Sequence, residues 1–200
     1  MGFLLSLALF VIFAACMGLL YPEGMWGNAV RLVNVLMAAL LAVNFWEPLA
    51  ALLENSVGKS FSYFWDFISL WLLFLVFFVI FRIATSYVSR VKVKFLGLAD
   101  RIGAEFFAAC IGFVLIGFTL MSLHTAPLKR EFLFGGFQPG ENMFLGMGPD
   151  KVWLNYMNYA SKGPFGRWNP RVFDADRQFI EKYATRRSNW DAFLSSSAQG

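Results

Sequence analysis

No lysine or arginine occurs before Arg31, and only 15% of the 200 residues are charged, against about 25% in ordinary soluble domains. Histidine occurs once and cysteine twice. Each shortage excludes something. Cys16 and Cys110 both lie inside apolar runs, so neither a disulfide framework nor a metal-binding spacing can be built from them, and they read as small packing residues. His124 has no second ligand candidate beside it and reads as a cap at the end of a run. The net charge of +4 is dispersed, which excludes nucleic-acid binding, since that needs a basic stripe on a folded surface. No nucleophile–base pair or supported carboxylate dyad is present, so neither an enzyme nor a cofactor is expected.

What is abundant is apolar. Hydrophobic residues make up 58% of the chain and phenylalanine alone numbers 24. A protein of this size has too little interior to hide that surface, so lipid must cover it. The expected fold is an all-α integral membrane protein with four transmembrane helices in residues 1–124 and a small extramembrane tail in 125–200.

The first run, Phe3–Leu20, is just long enough to span. Phe13-Ala14-Ala15-Cys16 is faintly like a lipoprotein cleavage site. Without a basic start the run reads instead as a retained helix. Tyr21-Pro22-Glu23-Gly24 forms a turn. The second run, residues 28–53, carries Arg31, Asn34, Asn44 and Glu47-Pro48. The two asparagines lie about 80° apart around a helix. They read as interhelical hydrogen-bonders, with a polar path as the rival reading. Residues 54–60 form a polar connection whose Gly58-Lys59-Ser60 lacks the rest of a phosphate-binding loop.

In residues 67–81, within the third run (64–81), thirteen positions are Leu, Ile, Val or Phe, worth about −4 to −8 kcal/mol for insertion. Asp66 and Arg82 bracket this run, where they can reach headgroups. The fourth run, residues 104–123, repeats small residues. Ala104, Ala108 and Gly112 recur every four positions, and Gly103, Cys110 and Gly117 every seven. Two such ridges let two neighbours approach, so this helix should sit centrally. Gly112→Leu is therefore expected to weaken assembly. Glu105 is ionisable at membrane depth and so a functional candidate, but Arg101 at i−4 favours an ion pair.

Between the third and fourth runs lie Arg90, Lys92, Lys94 and Arg101 against Asp100. Clustered positive charge marks the cytoplasmic side. Four spans then put both ends of the chain, and the tail, outside. The tail is broken by Gly and Pro, yet its aromatic content argues against disorder. Residues 151–160 and 174–185 read as short helices, the second with Asp174 as N-cap. Residues 195–200 read as frayed.

Hydrophobic spans, Arg82, a basic segment, Gly97, Asp100-Arg101 and then a small-residue helix resemble the colicin V production protein family (CvpA). That family follows Asp-Arg with glycines every four residues, where this chain has Ala104, Ala108 and Gly112. The resemblance covers about residues 1–125. It implies a bacterial inner-membrane protein accessory to toxin production or export, or to envelope integrity, with no catalytic residue. A homo-oligomer or an envelope partner is expected besides the bilayer. A small transporter or channel subunit lined by Asn34, Asn44 and Glu105 is the alternative. Asp100 and Arg101 are expected to fix the cytoplasmic elbow, and Ala104, Ala108 and Gly112 to set helix contact.

Overall fold

A computed structural model describes residues 3–57, 62–89, 97–126, 128, 137, 142–163 and 172–197. The basic segment with Arg90, Lys92 and Lys94, and the Gly58-Lys59-Ser60 fragment, lie outside the described residues. The protein is all-helical, with no strand among the described residues. Its elements are α1 (Phe3–Leu20), a 3-10 turn (Tyr21–Glu23), α2 (Gly24–Val57), α3 (Ser62–Val88), α4 (Gly97–Thr125), α5 (Pro149–Lys162) and α6 (Phe179–Ser197).

Among the described residues, three stretches are long and apolar enough to cross a membrane: Leu4–Val57, Phe64–Val88 and Gly97–Thr125. The first joins α1 and α2, which the sequence reading counts separately. Fifty-four residues of straight helix would reach about 80 Å, and the 3-10 turn instead folds the stretch back on itself. Leu9 of α1 shares a cluster with Ile116 and Leu120 near the end of α4, whereas Met25 of α2 lies against Gly103 near its start. So α1 runs antiparallel to α4 and α2 parallel to it. The reversal needs Pro22 in the turn and Gly24 at φ +76, a conformation L side chains rarely adopt.

α3 returns antiparallel to α2, with Trp26 meeting Ser89, Asn34 meeting Thr85 and Phe45 meeting Phe77. Half of α4's most apolar window is buried, against 17% of α3's. α4 is thus central and α3 peripheral. Ile68, Leu72, Leu75, Val76, Val79, Ile80 and Ile83 face outward on α3, where lipid tails are as good a solvent as a protein core.

The helices outrun the apolar patterns that reveal them. Residues 97–101, where Asp100 and Arg101 are expected to fix an elbow, form the start of α4 with Asp100 in its first turn, where a carboxylate favours the helix dipole. Residues 54–57 extend α2, and residues 82–88 extend α3. α6 begins at Phe179 rather than 174 and continues through Ser197.

α5 and α6 close over the end of the bundle opposite the 3-10 turn. Trp153, Leu154, Met157 and Ala160 of α5, with Phe179 and Tyr183 of α6, belong to the same buried cluster as Ala39, Val43, Trp46, Leu70, Phe74 and Phe118. One core runs through both.

Candidate functional site

At the turn end, α2 starts in a cage of polar contacts. The Met25 backbone N–H donates to Asp100 Oδ1 (3.1 Å), satisfying one of the donors that a helix start leaves over. A Cβ on Gly24 would approach Asp100 Oδ2 to 3.1 Å, so Gly24 also gives the carboxylate room. Asn28, fully buried, donates through Nδ2 to the carbonyls of Leu20 (2.9 Å) and Ala104 (3.0 Å). One side chain thus ties α1, α2 and α4 together. Arg31 Nη2 donates to Glu23 Oε1 (3.0 Å) beside it. Asn28 lies in the sequence reading only as the first residue of a run; its one signal is a polar side chain just inside an apolar stretch. Asn28→Ala is expected to cost about 1–3 kcal/mol for two lost hydrogen bonds, read as a lowered melting temperature in detergent.

The small-residue ridges of α4 meet different neighbours. Ala104 and Ala108 are buried. A Cβ on Gly112 would come within 2.8 Å of the Phe13 ring of α1, and one on Gly117 within 2.7 Å of the Pro149 carbonyl oxygen of α5. These are contacts within one chain, and they bring helix backbones close.

The other sequence candidates do not converge. Asn34 donates to Thr85 Oγ1 of α3 (2.9 Å), an interhelical bond of the expected kind. Asn44 is exposed and turns back to Leu40 O on its own helix at 3.4 Å, and among the described residues it makes no interhelical bond. Arg82, Arg101 and Glu105 are exposed, and among the described residues no ion pair joins Arg101 to Glu105.

The tail end holds the groups that the sequence reading misplaced. His124 is no interfacial cap. It is fully buried, and its Nε2–H donates to Asp150 Oδ2 at 3.1 Å, with Asp150 also fully buried. The Phe137 ring centroid lies 4.9 Å from that of the imidazole, and the Arg187 guanidinium lies 4.8 Å from the same Phe137 centroid. Among the described residues, His124 Nδ1 and Asp150 Oδ1 have no hydrogen-bond partner. Local chemistry explains the carboxylate's position. Pro149 suits the first helical position of α5, and Asp150 follows in the first turn. Asp66, expected where it can reach headgroups, is paired with Arg186 of α6. Tyr183 lies beside them, and burial, together with the Asp66 charge, pushes its phenol far above its ordinary value. It stays protonated.

Asp174 also caps α6, but from outside the helix. Its Oδ1 accepts the backbone N–H groups of Gln178 (2.8 Å) and Phe179 (3.0 Å). Asn158 of α5 holds that turn by donating to the carbonyls of Phe173 and Asp174. Between the turn and the outer part of α2 lies a cleft of about 560 Å³, lined in part by Trp46, Glu47, Asp176, Phe179 and Lys182. Trp46, Glu47, Lys182 and Tyr183 continue into a smaller cleft of about 260 Å³ reaching Asp66 and Arg186. Among the described residues, no three His, Cys, Asp or Glu side chains form a group that could hold a metal.

No curated protein and no solved structure matches the chain significantly. The family model described as colicin V production protein matches residues 5–135. That region takes in all of α2, α3 and α4, nearly all of α1, and the Asp100–Met25 and Asn28 junctions that hold them together. The chain belongs to the colicin V production protein family, as a multi-pass membrane protein of that type.

Proposed function

We propose that the chain is a non-enzymatic inner-membrane protein, accessory to toxin production or export or to envelope integrity, and that it crosses the bilayer four times. The observation that carries this reading is the family match over α1–α4. Packing supports a scaffold in preference to a conduit. Asn28, Asn34 and the Trp71–Ser122 pair all satisfy protein groups inside the bundle. A path lined by Asn34, Asn44 and Glu105 would need these groups to face one another, yet Asn34 is bonded to Thr85 and the other two are exposed.

The four-span count rests on the antiparallel return of α1 and α2, and the orientation on the positive-inside rule. The basic connection is then cytoplasmic, and both ends of the chain, with α5 and α6, lie outside. The scaffold works with an envelope partner or a second copy of itself. Single cysteines at Gly97 and Lys162, in a chain with Cys16 and Cys110 replaced, test the sidedness. An impermeant thiol reagent is expected to label position 162 and leave 97 untouched in intact cells; the reverse pattern overturns the orientation, and labelling of both overturns the span count. For the role, a bacterial strain lacking this chain should regain colicin V release or detergent resistance when it is supplied. Restoration of neither overturns the proposal.

A further inference from the structure

The larger cleft lies at the level where lipid headgroups sit. Glu47 is 23 residues beyond the start of α2 at Gly24, about 35 Å along the axis, against a hydrocarbon core of about 30 Å. The matching level on α3 is Asp66, since the opposite ends of α2 and α3 meet at Trp26 and Ser89. Trp46 and Trp65, both at the edge of the smaller cleft, are the residue type that favours this interfacial layer.

At about 560 Å³ the cleft is large enough for a headgroup and the first part of its acyl chains. Its walls are of two kinds. Trp46, Phe173 and Phe179 supply an apolar side, whereas Glu47, Asp176 and Lys182 supply charge of both signs. Glu47 and Asp176 have no hydrogen-bond or ion-pair partner among the described residues, and neither pairs with Lys182, whose ammonium instead lies 5.7 Å from the Tyr183 ring centroid. Opposite charges that line one cleft without closing on each other leave room for a group carrying both signs. Asp174 takes no part, because its carboxylate already caps α6.

We infer that this cleft binds a zwitterionic amino-phospholipid of the phosphatidylethanolamine class. The ammonium would lie between Glu47 and Asp176, the phosphate would lie toward Lys182, and the glycerol end would rest on Trp46 and Phe179. A lipid with an anionic headgroup and no amine would leave the two carboxylates without a cation between them, and is selected against. This inference does not depend on the accessory role proposed above.

The full chain, placed in nanodiscs of phosphatidylcholine with equal amounts of phosphatidylethanolamine and phosphatidylglycerol, tests it by native mass spectrometry of the lipids retained on release. Retention of phosphatidylethanolamine is expected to exceed that of phosphatidylglycerol by about tenfold, which corresponds to about 1.4 kcal/mol, and the Glu47→Gln/Asp176→Asn double variant to remove that preference. Glu105→Gln, which removes a carboxylate at the other end of the bundle, should leave the preference intact. Both altered side chains of the double variant are exposed, and an unchanged melting temperature verifies its fold. Equal retention of the two lipids by the wild-type chain overturns the inference, as does a preference that survives in the double variant. A lysine-rich peptide that binds through Glu47 and Asp176 while phosphatidylethanolamine shows no such dependence also overturns it.

Discussion

His124→Ala is expected to lower stability by about 3–5 kcal/mol, the usual cost of leaving a buried charge without its partner. Asp150 is fully buried, and His124 is its side-chain partner at 3.1 Å. Without the imidazole, the carboxylate would have to stay charged in an apolar setting, take up a proton, or draw water in. Asp150→Ala should be milder, about 1–3 kcal/mol, because it strands a neutral ring rather than an anion. Replacing both by leucine should recover much of the loss, since a well-filled apolar site is often as stable as a buried pair. Thermal unfolding of His124→Ala, Asp150→Ala and the double alanine variant in detergent gives the coupling directly. Additive losses would show that the pair does not hold α5 to α4.

Gly117→Leu is expected to cost about 3 kcal/mol or more, at or beyond the upper end of ordinary overpacking. The obstruction is the Pro149 carbonyl oxygen, 2.7 Å from where a Cβ would lie, with Trp153 Cβ behind it at 3.0 Å. Backbone at the start of α5 cannot swing aside as a side chain can, so the helix itself must lift. Faster proteolysis in the segment between α4 and α5 should accompany the lowered melting temperature. Gly103→Ala is the control. Its added methyl would meet Sδ and Cγ of Met25, which a rotamer change can move, and Met25 Cβ at 3.0 Å, so a loss smaller than that of Gly117→Leu is expected. Equal losses in the two variants would refute the rigid-contact argument.

The apolar helices were legible because their signal is local. Phe3–Leu20 is a run of apolar side chains ended by Pro22 and Gly24, and α1 has those same bounds. The ridges of α4 were legible as well, since small residues at fixed spacing imply close neighbours whatever the neighbours are. Hydropathy could not reveal where the helices stop. Once a helix is nucleated it continues through residues that merely tolerate it, as in residues 54–57 and 82–88. The His124–Asp150 pair was illegible for a different reason. The two residues are 26 positions apart, no motif links them, and only the docking of α5 on α4 brings them together. The Asp66–Arg186 pair, 120 positions apart, was hidden in the same way. In each case the partner comes from a polar segment whose place against the bundle leaves no local trace.

The core shared by α4, α5 and α6 also has a consequence in time. Gly117, Phe118 and Met121 of α4 are covered by groups that include Trp153 and, across the same cluster, Tyr183. A ribosome that has finished α4 must add residues 126–183 before that cover exists, which takes about 3–12 s at ordinary synthesis rates. During those seconds one flank of the central helix stays open to any other helix nearby. The bundle's last packing step therefore follows the clock of translation rather than the speed of membrane insertion, and a partner that acts early would find a surface the finished protein no longer shows.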